Sequence, residues 1–387
     1  MISARWLNRG SEPGVLAGFC LAAALGLVVL LGVFGVRNYV GQSFWDSPPL
    51  RWVILYLAFS GCSLFWTASV SVASSALYWM ALAGDVGIVI LLVRDAAQEQ
   101  AAESILLGFI AGGCGLAAIA WMMHPAVDLR LGDVDYFNTN QIGNLCALSL
   151  LMCFLLSARG RKIWRMVPWF LAVTLLRSLS KATLAAFIVC LLYLLARDSS
   201  FSRRRKWLLV TATIMLTLGF WGLLSAYYDQ YTTAGNQAET LTGRTAIWIW
   251  SYDAAMTKPW FGNGFDSMWK VAPAFGGELF EARHAENELL QQFFAYGVCG
   301  IVLLAGIYGS LYRSIRAVIR APERVALTTF LIYVVIRGLA EAEPFDLLLP
   351  LWLVTALALL MSRGGQEQSA PAEEIVIPAG FEALPTR

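Results

Sequence analysis

The segment RHAENELLQQFFAYGVCG, residues 283–300, places several ionisable side chains directly before a long apolar run. His284, Glu286 and Glu288 are types that can accept a proton, provided they lie within hydrogen-bond reach of it. Glu286 and Asn287 are predicted to start the helix, so a carboxylate at Glu288 also has an ordinary role in interacting with the helix dipole. His284 and Glu286 are therefore the two candidate general bases.

Cationic side chains that could bind an anion occur in two other segments. Arg244 lies at the start of GRTAIWIWSYDAAMTK, which predicts a helix from about Thr242–Gly243 to just before Pro259. Its planar guanidinium suits a phosphate or diphosphate, and the adjacent helix N-terminus would favour the same anion. The alternative is an exposed arginine that reaches lipid headgroups. Arg177 and Lys181, in the predicted tight turn RSLSKATL, have the same two interpretations.

The segment LGDVDYFNTNQIGN, residues 131–144, carries polar candidates of another kind. Its two aspartates, Asp133 and Asp135, could hold a divalent cation. An Asp-x-Asp pattern is, however, common by chance, and we expect no metal site. Asn138 and Asn140 could bind sugar hydroxyls or cap the following helix. Further along the chain, Arg337 could join Glu341 and Glu343 in lining the same cavity, or these three could simply pair with one another.

The composition identifies the elements that must position these residues. The chain has 387 residues, of which 58% are hydrophobic and 14% charged, and its mean hydropathy is +0.63. Its apolar blocks approach the roughly 20 residues that a helix needs to cross a bilayer. We therefore predict an all-α polytopic membrane protein of eleven or twelve transmembrane helices. The predicted spans are 15–36, 51–66, 72–93, 102–124, 141–158, 163–179, 182–196, 207–226, 287–312, 325–340 and 346–362.

Basic residues gather in short clusters between the spans, which argues against nucleic acid as a partner and indicates the cytoplasmic side. The opposite side then holds residues 125–140, 227–286 and 337–345. We predict one transmembrane domain, residues 1–362, in which 227–286 form a large extracytoplasmic loop that contains short helices. The tail 363–387 is predicted to be cytoplasmic and disordered. Arg5 and Arg9 fit this scheme only if the chain has a twelfth span or its first segment does not fully cross.

Four segments together resemble one family. They are YFNTNQIGN, SLSKATLAAF, GRTAIWIWSYDAAMTKPWFGNGFDSMW and HAENELLQQFFAYGVCG, which occur in this order between about residues 130 and 345. Their motifs and the single large loop resemble the bacterial O-antigen ligase and polysaccharide polymerase superfamily. Arg244 matches that family's loop arginine, whereas Lys181 stands where the family has an arginine in its turn. When positions are counted back from Gly297, Glu286 occupies the place of the family's histidine, and Asn287 occupies the place of the family's asparagine.

The resemblance implies an enzyme that transfers a glycan from undecaprenyl diphosphate to an acceptor sugar hydroxyl. The transfer would invert the anomeric carbon without a metal or other cofactor, at the periplasmic face of the bacterial inner membrane. Arg244 and Lys181, with Arg177 as a further candidate, would bind the diphosphate, and Glu286 or His284 would be the base. Asn138, Asn140, Asn287 and Arg337 are candidates for sugar contacts.

Three functions fit this outline. An exopolysaccharide or O-antigen polymerase is the first, and a ligase that attaches the glycan to lipid A-core is the second, since both use the same donor and differ in the acceptor. A flippase or other transporter of the lipid-linked glycan belongs to a different class. A transporter would favour paired repeats with broken helices at matching positions, and the sequence shows no internal repeat. The Gly262-x-Gly264 motif does not follow a strand, so a dinucleotide loop is not expected.

Overall fold

The structure is a computed structural model that describes most of the chain. The described residues are Gly26 and 47–95, 98–123, 130–132, 138–197, 202–222, 225–226, 241–269, 271–275 and 280–362. Within them the chain forms eleven α-helices and one short antiparallel pair of strands. The helices are α1 Pro48–Cys62, α2 Val72–Asp95, α3 Gln98–Met122, α4 Thr139–Ala158, α5 Met166–Ser178, α6 Lys181–Arg197, α7 Arg203–Gly219, α8 Leu241–Met256, α9 Glu288–Ala317, α10 Ala321–Gly338 and α11 Leu351–Ser362. The strands are β1 Ala274–Phe275 and β2 Phe280–Glu281.

Five helices of the described residues are long and apolar enough to cross a membrane by length and composition. These spans are Pro48–Phe65, Val72–Leu92, Gln100–Met122, Thr139–Ala158 and Glu288–Ala317. Three more apolar helices are shorter: Met166–Ser178, Lys206–Met215 and Leu351–Met361. The predicted all-α polytopic membrane fold is therefore confirmed. The predicted span 15–36, apart from Gly26, and the predicted tail 363–387 lie outside the described residues, and the total number of crossings stays a prediction.

Helix α4 lies at the centre of the bundle and packs against α3, α5 and α10. Its side chains are buried on nearly every face, from Ile142 to Leu156. A helix that is apolar all round is expected to be surrounded by other helices. Helix α10 in turn packs along α6 and contacts α9, so α4 and α10 together connect the segments that carry the candidate residues.

The two ends of the bundle differ in their polar contacts. At one end, Thr139 Oγ1 donates to the Ser178 carbonyl at 2.6 Å, and Asn287 Nδ2 donates to the Leu339 carbonyl at 3.1 Å. The first bond joins the α4 start to the α5–α6 turn, and the second joins the α9 start to the segment after α10. Tyr333 Oη on α10 donates to Asn144 Oδ1 on α4 at 2.7 Å, which places both pairs at the same end. At the other end, Arg159 forms ion pairs with the buried carboxylates of Glu103 on α3 and Glu323 on α10. The described ends of segments 125–140 and 227–286 and the segment 337–345 thus lie at one end of the bundle, and the side of the membrane that they face stays a prediction.

Helix α9 is broken at Gly297, whose backbone has φ 63° and ψ −151° inside the helix. A break in a spanning helix frees backbone groups that must find partners, because lipid offers none. The loop that follows α8 supplies them. Val298 N–H donates to the Pro259 carbonyl at 2.8 Å, and Gly264 N–H donates to the Ala295 carbonyl at 2.8 Å. The loop and the broken helix are therefore joined by main-chain hydrogen bonds.

This contact explains the Gly262-x-Gly264 motif. A Cβ atom at Gly262 would lie 2.4 Å from the Tyr296 nitrogen, and one at Gly264 would lie 2.5 Å from the Thr67 Cα. Both glycines also have positive φ, 65° and 90° respectively, which side chains rarely adopt. The motif is needed for close approach of the loop to α9 and to the segment after α1. This is a structural role, in line with the expectation that it does not form a dinucleotide loop.

We expect Gly297→Ala to destabilise the protein markedly, whereas Gly309→Ala on the same helix should not. A Cβ at Gly297 would lie 2.5 Å from the Pro259 carbonyl oxygen, while a Cβ at Gly309 meets nothing within 4 Å. The backbone conformation at Gly297 adds a strain of about 1–3 kcal/mol for a residue with a side chain. Thermal unfolding of the purified proteins in detergent measures the difference. Equal midpoints for the two variants would show that the break does not need a glycine.

Candidate functional site

Helix α8 lies against the start of α9 and presents Arg244 to it. Its observed limits, Leu241–Met256, confirm the helix predicted in this loop. Ile247 on α8 is buried in an apolar cluster with Ala285 and Phe294. Trp248 Nε1 also donates to the Glu286 carbonyl at 3.3 Å. This packing fixes the first turn of α8 beside the segment that leads into α9.

Arg244 and Glu286 form an ion pair at this contact. The distance from Arg244 Nη2 to Glu286 Oε2 is 3.4 Å, and the two side chains remain 21% and 14% exposed. They are separated by more than 40 positions in the chain, and only the packing of α8 brings them together. A cation and a carboxylate therefore lie side by side where a ligand can still reach both.

The structure corrects the predicted start of the helix after this segment. Helix α9 begins at Glu288, and Asn287 is its N-cap, whose Oδ1 accepts from the Leu290 N–H at 3.0 Å. Glu286 lies before the helix with φ 52°, a conformation that is uncommon for residues other than glycine. The carboxylate of Glu286 is consequently held by the loop, not by the first turn of α9. Asn287, a candidate for sugar contacts, uses both ends of its amide in capping α9 and in binding the Leu339 carbonyl.

His284 is hydrogen-bonded in a way that limits its chemistry. Its Nδ1 accepts from the Glu286 N–H at 3.3 Å, so the proton of a neutral ring resides on Nε2. Nε2 lies 3.9 Å from Glu341 Oε1. Burial lowers the pKa of His284, although the nearby carboxylates of Glu341 and Glu343 oppose this shift. A neutral His284 therefore has both ring nitrogens assigned, one as an acceptor from the backbone and one as a donor.

Arg337, at the end of α10, lies behind this cluster and is only 1% exposed. Its Nη1 is 3.7 Å from Glu343 Oε1, yet Nε and Nη1 form no hydrogen bond to the described residues. Burial raises the pKa of Glu343, while the nearby Arg337 opposes the rise. Buried donors without an acceptor are costly, and an oxyanion would satisfy those of Arg337. Arg337 and the two glutamates thus lie in the same cluster as His284 and also partly pair with one another, whereas their contact with a sugar or a diphosphate stays a prediction.

The other predicted residues lie at the same end but not within this cluster of ion pairs. Asn138 caps α4, its Oδ1 accepting from the Asn140 N–H at 2.9 Å. Arg177 is in the last turn of α5, and Lys181 is the first residue of α6. These two cations flank the predicted tight turn, and their joint action with Arg244 stays a prediction. The aspartates Asp133 and Asp135 lie outside the described residues.

Three side chains of the cluster could also contribute ligands to a cation. One atom each from His284, Glu286 and Glu341 lies within 4.8 Å of the others. However, Nδ1 of His284 is engaged by the Glu286 N–H, and the Arg244 guanidinium already compensates the charge of Glu286. The arrangement therefore suits an ion-pair network at least as well as a metal centre. That the reaction needs no metal stays a prediction.

The sequence gives no signal for several hydrogen bonds that hold the site together. Gln291 Oε1 accepts from the Ala285 N–H at 2.8 Å, which ties the loop back onto the first turn of α9. Glu288 Oε1 accepts from Tyr308 Oη and from the Leu348 N–H, both at 2.8 Å. Glu288 thus anchors the segment after α10, a role that helix-dipole reasoning could not reveal. Its partners are 20 and 60 positions away, so no local pattern signals these bonds.

The fold and this site define a multi-pass membrane protein with a network of paired arginines and glutamates at one end of its helices. Residues 166–305 match the family model described as O-antigen ligase. This match confirms the superfamily resemblance and indicates glycan transfer of the ligase or polymerase type at the level of the family. It covers less than half of the chain but includes three of the four motifs, with YFNTNQIGN lying before it.

Comparisons with individual proteins add little to this assignment. No curated protein sequence matches the chain significantly. One solved chain that resembles it comes from a structure titled "Structural coordination of polymerization and crosslinking by a peptidoglycan synthase complex". The identity is 13%, the TM-score is 0.46, and the alignment covers 84% of this chain and 98% of the other.

Proposed function

We propose that this protein is a polysaccharide polymerase of the inner membrane. It would transfer glycan repeat units from undecaprenyl diphosphate to an acceptor sugar hydroxyl at the periplasmic face. The observation that carries the proposal is the pairing of Arg244 with Glu286, 3.4 Å apart, at one end of a spanning bundle. Transfer from a diphosphate needs a cation for the leaving group and a base for the acceptor, and these two side chains supply both.

Arg244 is the group that we assign to the donor diphosphate. Its partial exposure leaves the guanidinium accessible, and arginine forms charge-assisted, two-pronged hydrogen bonds with phosphate. As the sugar leaves, negative charge develops on the diphosphate, so a fixed cation stabilises the transition state more than the ground state. Arg337 has unsatisfied donors in the same cluster. Lys181 and Arg177 at the neighbouring turn are the further cations we assign to this anion.

Binding of the donor would also prepare the base. The Arg244 guanidinium pairs with Glu286 in this structure, and an incoming diphosphate competes for the same guanidinium. The Glu286 carboxylate would then accept the proton of the acceptor hydroxyl. The hydroxyl oxygen attacks the anomeric carbon from the face opposite the diphosphate. The bond from that carbon to the phosphate oxygen breaks, and its electron pair leaves with the diphosphate, which gives inversion in a single displacement.

Among the two candidate bases, the hydrogen bonds of His284 favour Glu286. A neutral His284 accepts from the Glu286 backbone N–H, so it has no free lone pair with which to take a substrate proton. We assign it the role of holding the Glu286 loop in its unusual conformation. The sugars would contact the remaining polar groups around this loop, including Asn140 and the exposed part of Asn138 at the start of α4.

The surroundings of the site suit a donor that is half lipid and half sugar. Leu289, which follows the site at the start of α9, is 58% exposed, and Trp260 and Phe261, in the loop that binds the break in α9, are 67% and 58% exposed. Aromatic side chains of this kind favour the headgroup level of a bilayer. Ionisable residues at such a position are expensive and tend to be functional. The polyprenyl tail can therefore stay among the helices while the diphosphate reaches Arg244.

The surface glycan of a strain that lacks this protein tests the proposal. Loss of a polymerase should leave single repeat units at the cell surface, and restoring the wild-type protein should restore long chains. Long chains retained on the carrier lipid would instead identify a ligase. Repeat units held on the cytoplasmic side would identify a flippase. The measurement is the chain-length profile of the polysaccharide together with its attachment, in the deletion strain and in the restored strain.

A further inference from the structure

A cavity of about 600 Å³ opens at the end of the bundle opposite the candidate site. It lies between the end of α6, the end of α9 and the start of α10. The distance from Glu288 along α9 to this cavity is roughly 40 Å at about 1.5 Å per helical residue. Its lining residues are Tyr193, Ala196, Arg197, Tyr312, Arg316, Ala321, Arg324, Val325 and Thr328. The cavity therefore does not belong to the transfer site.

The charge of this cavity is its main feature. Arg197, Arg316 and Arg324 come from three different helices and converge on one space. Among the described residues, no carboxylate lines the cavity, and none forms an ion pair with these three arginines. Elsewhere at this end, by contrast, Arg159 is matched by the buried carboxylates of Glu103 and Glu323. Three guanidinium ions that share no carboxylate within the described part of the chain attract an anion.

The other lining residues indicate what carries that anion. Tyr193 and Tyr312 contribute aromatic surface, and the Arg316 guanidinium lies 6.0 Å from the centre of the Tyr312 ring. Ala196, Ala321 and Val325 add apolar surface next to helices that span the membrane. Basic pockets between transmembrane helices bind the headgroups of anionic lipids. A volume of a few hundred Å³ is in the range of pockets that bind small ligands.

We propose that this cavity binds the phosphodiester headgroup of an anionic phospholipid of the membrane. The arginines contact the phosphate, and the tyrosines and apolar side chains lie along the glycerol and the upper acyl chains. This lipid would act as a bound structural partner where α6, α9 and α10 meet. The proposal is independent of the glycan-transfer function, because it involves none of the residues assigned to that reaction.

The test is a binding titration of the purified full-length protein in detergent, with bound lipid counted by native mass spectrometry. The probes are phosphatidylglycerol, zwitterionic phosphatidylcholine and inorganic phosphate. The main variant is Arg197→Gln/Arg316→Gln, because Arg324 Nη1 also donates to the Val318 carbonyl and could affect folding when removed. The matched control is Arg203→Gln/Arg313→Gln. It removes the same charge from two exposed arginines at this end that do not line the cavity.

We expect the wild-type protein and the control to retain phosphatidylglycerol and to prefer it to phosphatidylcholine. The cavity variant should bind it about tenfold or more weakly, since each basic residue near the headgroup contributes to the attraction. Equal weakening in the cavity variant and the control would overturn the proposal, because it would reveal only general attraction to basic residues. Phosphatidylcholine binding as tightly as phosphatidylglycerol would overturn it too. So would inorganic phosphate displacing the lipid at equal concentration.

If the cavity variant does not fold, Arg316→Lys provides a second measurement. It keeps the positive charge but removes the planar fork that binds phosphate through two hydrogen bonds. Reduced phosphatidylglycerol retention in this variant, with an unchanged thermal midpoint, would support the proposal. The proposal would be contradicted if Arg316→Lys retained as much phosphatidylglycerol as the wild type and Arg197→Gln still preferred phosphatidylglycerol to phosphatidylcholine.

Discussion

Replacing Arg244 with alanine is expected to abolish glycan transfer while the protein still inserts into the membrane normally. The guanidinium is the cation beside Glu286, and it is the group we assign to the charge that develops on the diphosphate. Loss of one such stabilising group typically lowers turnover by about 10²–10³-fold. Glu286 would also lose its ion-pair partner. The measurement is transfer from a lipid-linked donor by the purified protein, with cellular polysaccharide as a second readout.

Two further variants make the Arg244 prediction specific. Lys258→Ala removes an exposed cation from the end of the same loop region and should leave transfer unchanged. Arg244→Lys keeps the charge but not the planar fork, so we expect an intermediate activity. Membrane levels and thermal midpoints of all three variants should match those of the wild type. Wild-type product levels in Arg244→Ala would refute the role of this residue in binding the diphosphate.

Glu286→Gln is expected to lower turnover more than His284→Ala. The substitution keeps the size of the side chain but removes the carboxylate that takes the proton, and loss of a general base typically costs about 10²–10⁴-fold. His284 accepts a backbone hydrogen bond from Glu286, so its loss should loosen the loop and reduce turnover by a smaller factor. Turnover of the purified variants at saturating donor concentration gives the ranking.

The pH dependence of these variants separates the two assignments further. Burial lowers the pKa of His284, so the ring is neutral at pH 7 and above and becomes charged only at lower pH. If His284 is the base, the wild-type rate should fall as the His284 ring becomes charged, and His284→Ala should lack that fall. If His284→Ala is slower than Glu286→Gln, His284 and not Glu286 is the general base. If both variants keep the activity of the wild-type protein, neither Glu286 nor His284 is the general base.

Some features of the site could be predicted because they depend on neighbouring residues. The helix Leu241–Met256 is predicted from a segment with a helical sequence pattern that ends just before Pro259. The tight turn between α5 and α6 follows from a short polar interruption between two apolar blocks, and Lys181 lies at its end. The apolar blocks, by their length, determine helices able to cross a bilayer. Local sequence is sufficient here because these structures are formed by local hydrogen bonds and burial.

Other features could not be predicted, because their partners are far away in the chain. The sequence predicts that the helix starts at Glu286, and this is wrong because Asn287 caps α9. Glu286 adopts a positive φ that its contacts with His284 and Trp248 help to hold. The sequence identifies Gly297 only as a motif position, whereas in the structure Gly297 breaks α9 so that the 259–264 loop can bind the helix backbone. The sequence identifies Arg337 as a polar residue near the end of a predicted helix, but it does not reveal that this side chain is almost completely buried.

The sequence by itself determined that this protein is an all-α membrane protein and which polar residues stand at the edges of its helices. It did so because hydropathy and helix propensity are properties of short segments. Only the tertiary structure decided that Arg244 meets Glu286, that His284 is oriented between Glu286 and Glu341, and that three arginines converge at the opposite end. The reason is physical: an ion pair or a cavity depends on distances between side chains from different helices, and those distances are set by how the helices pack.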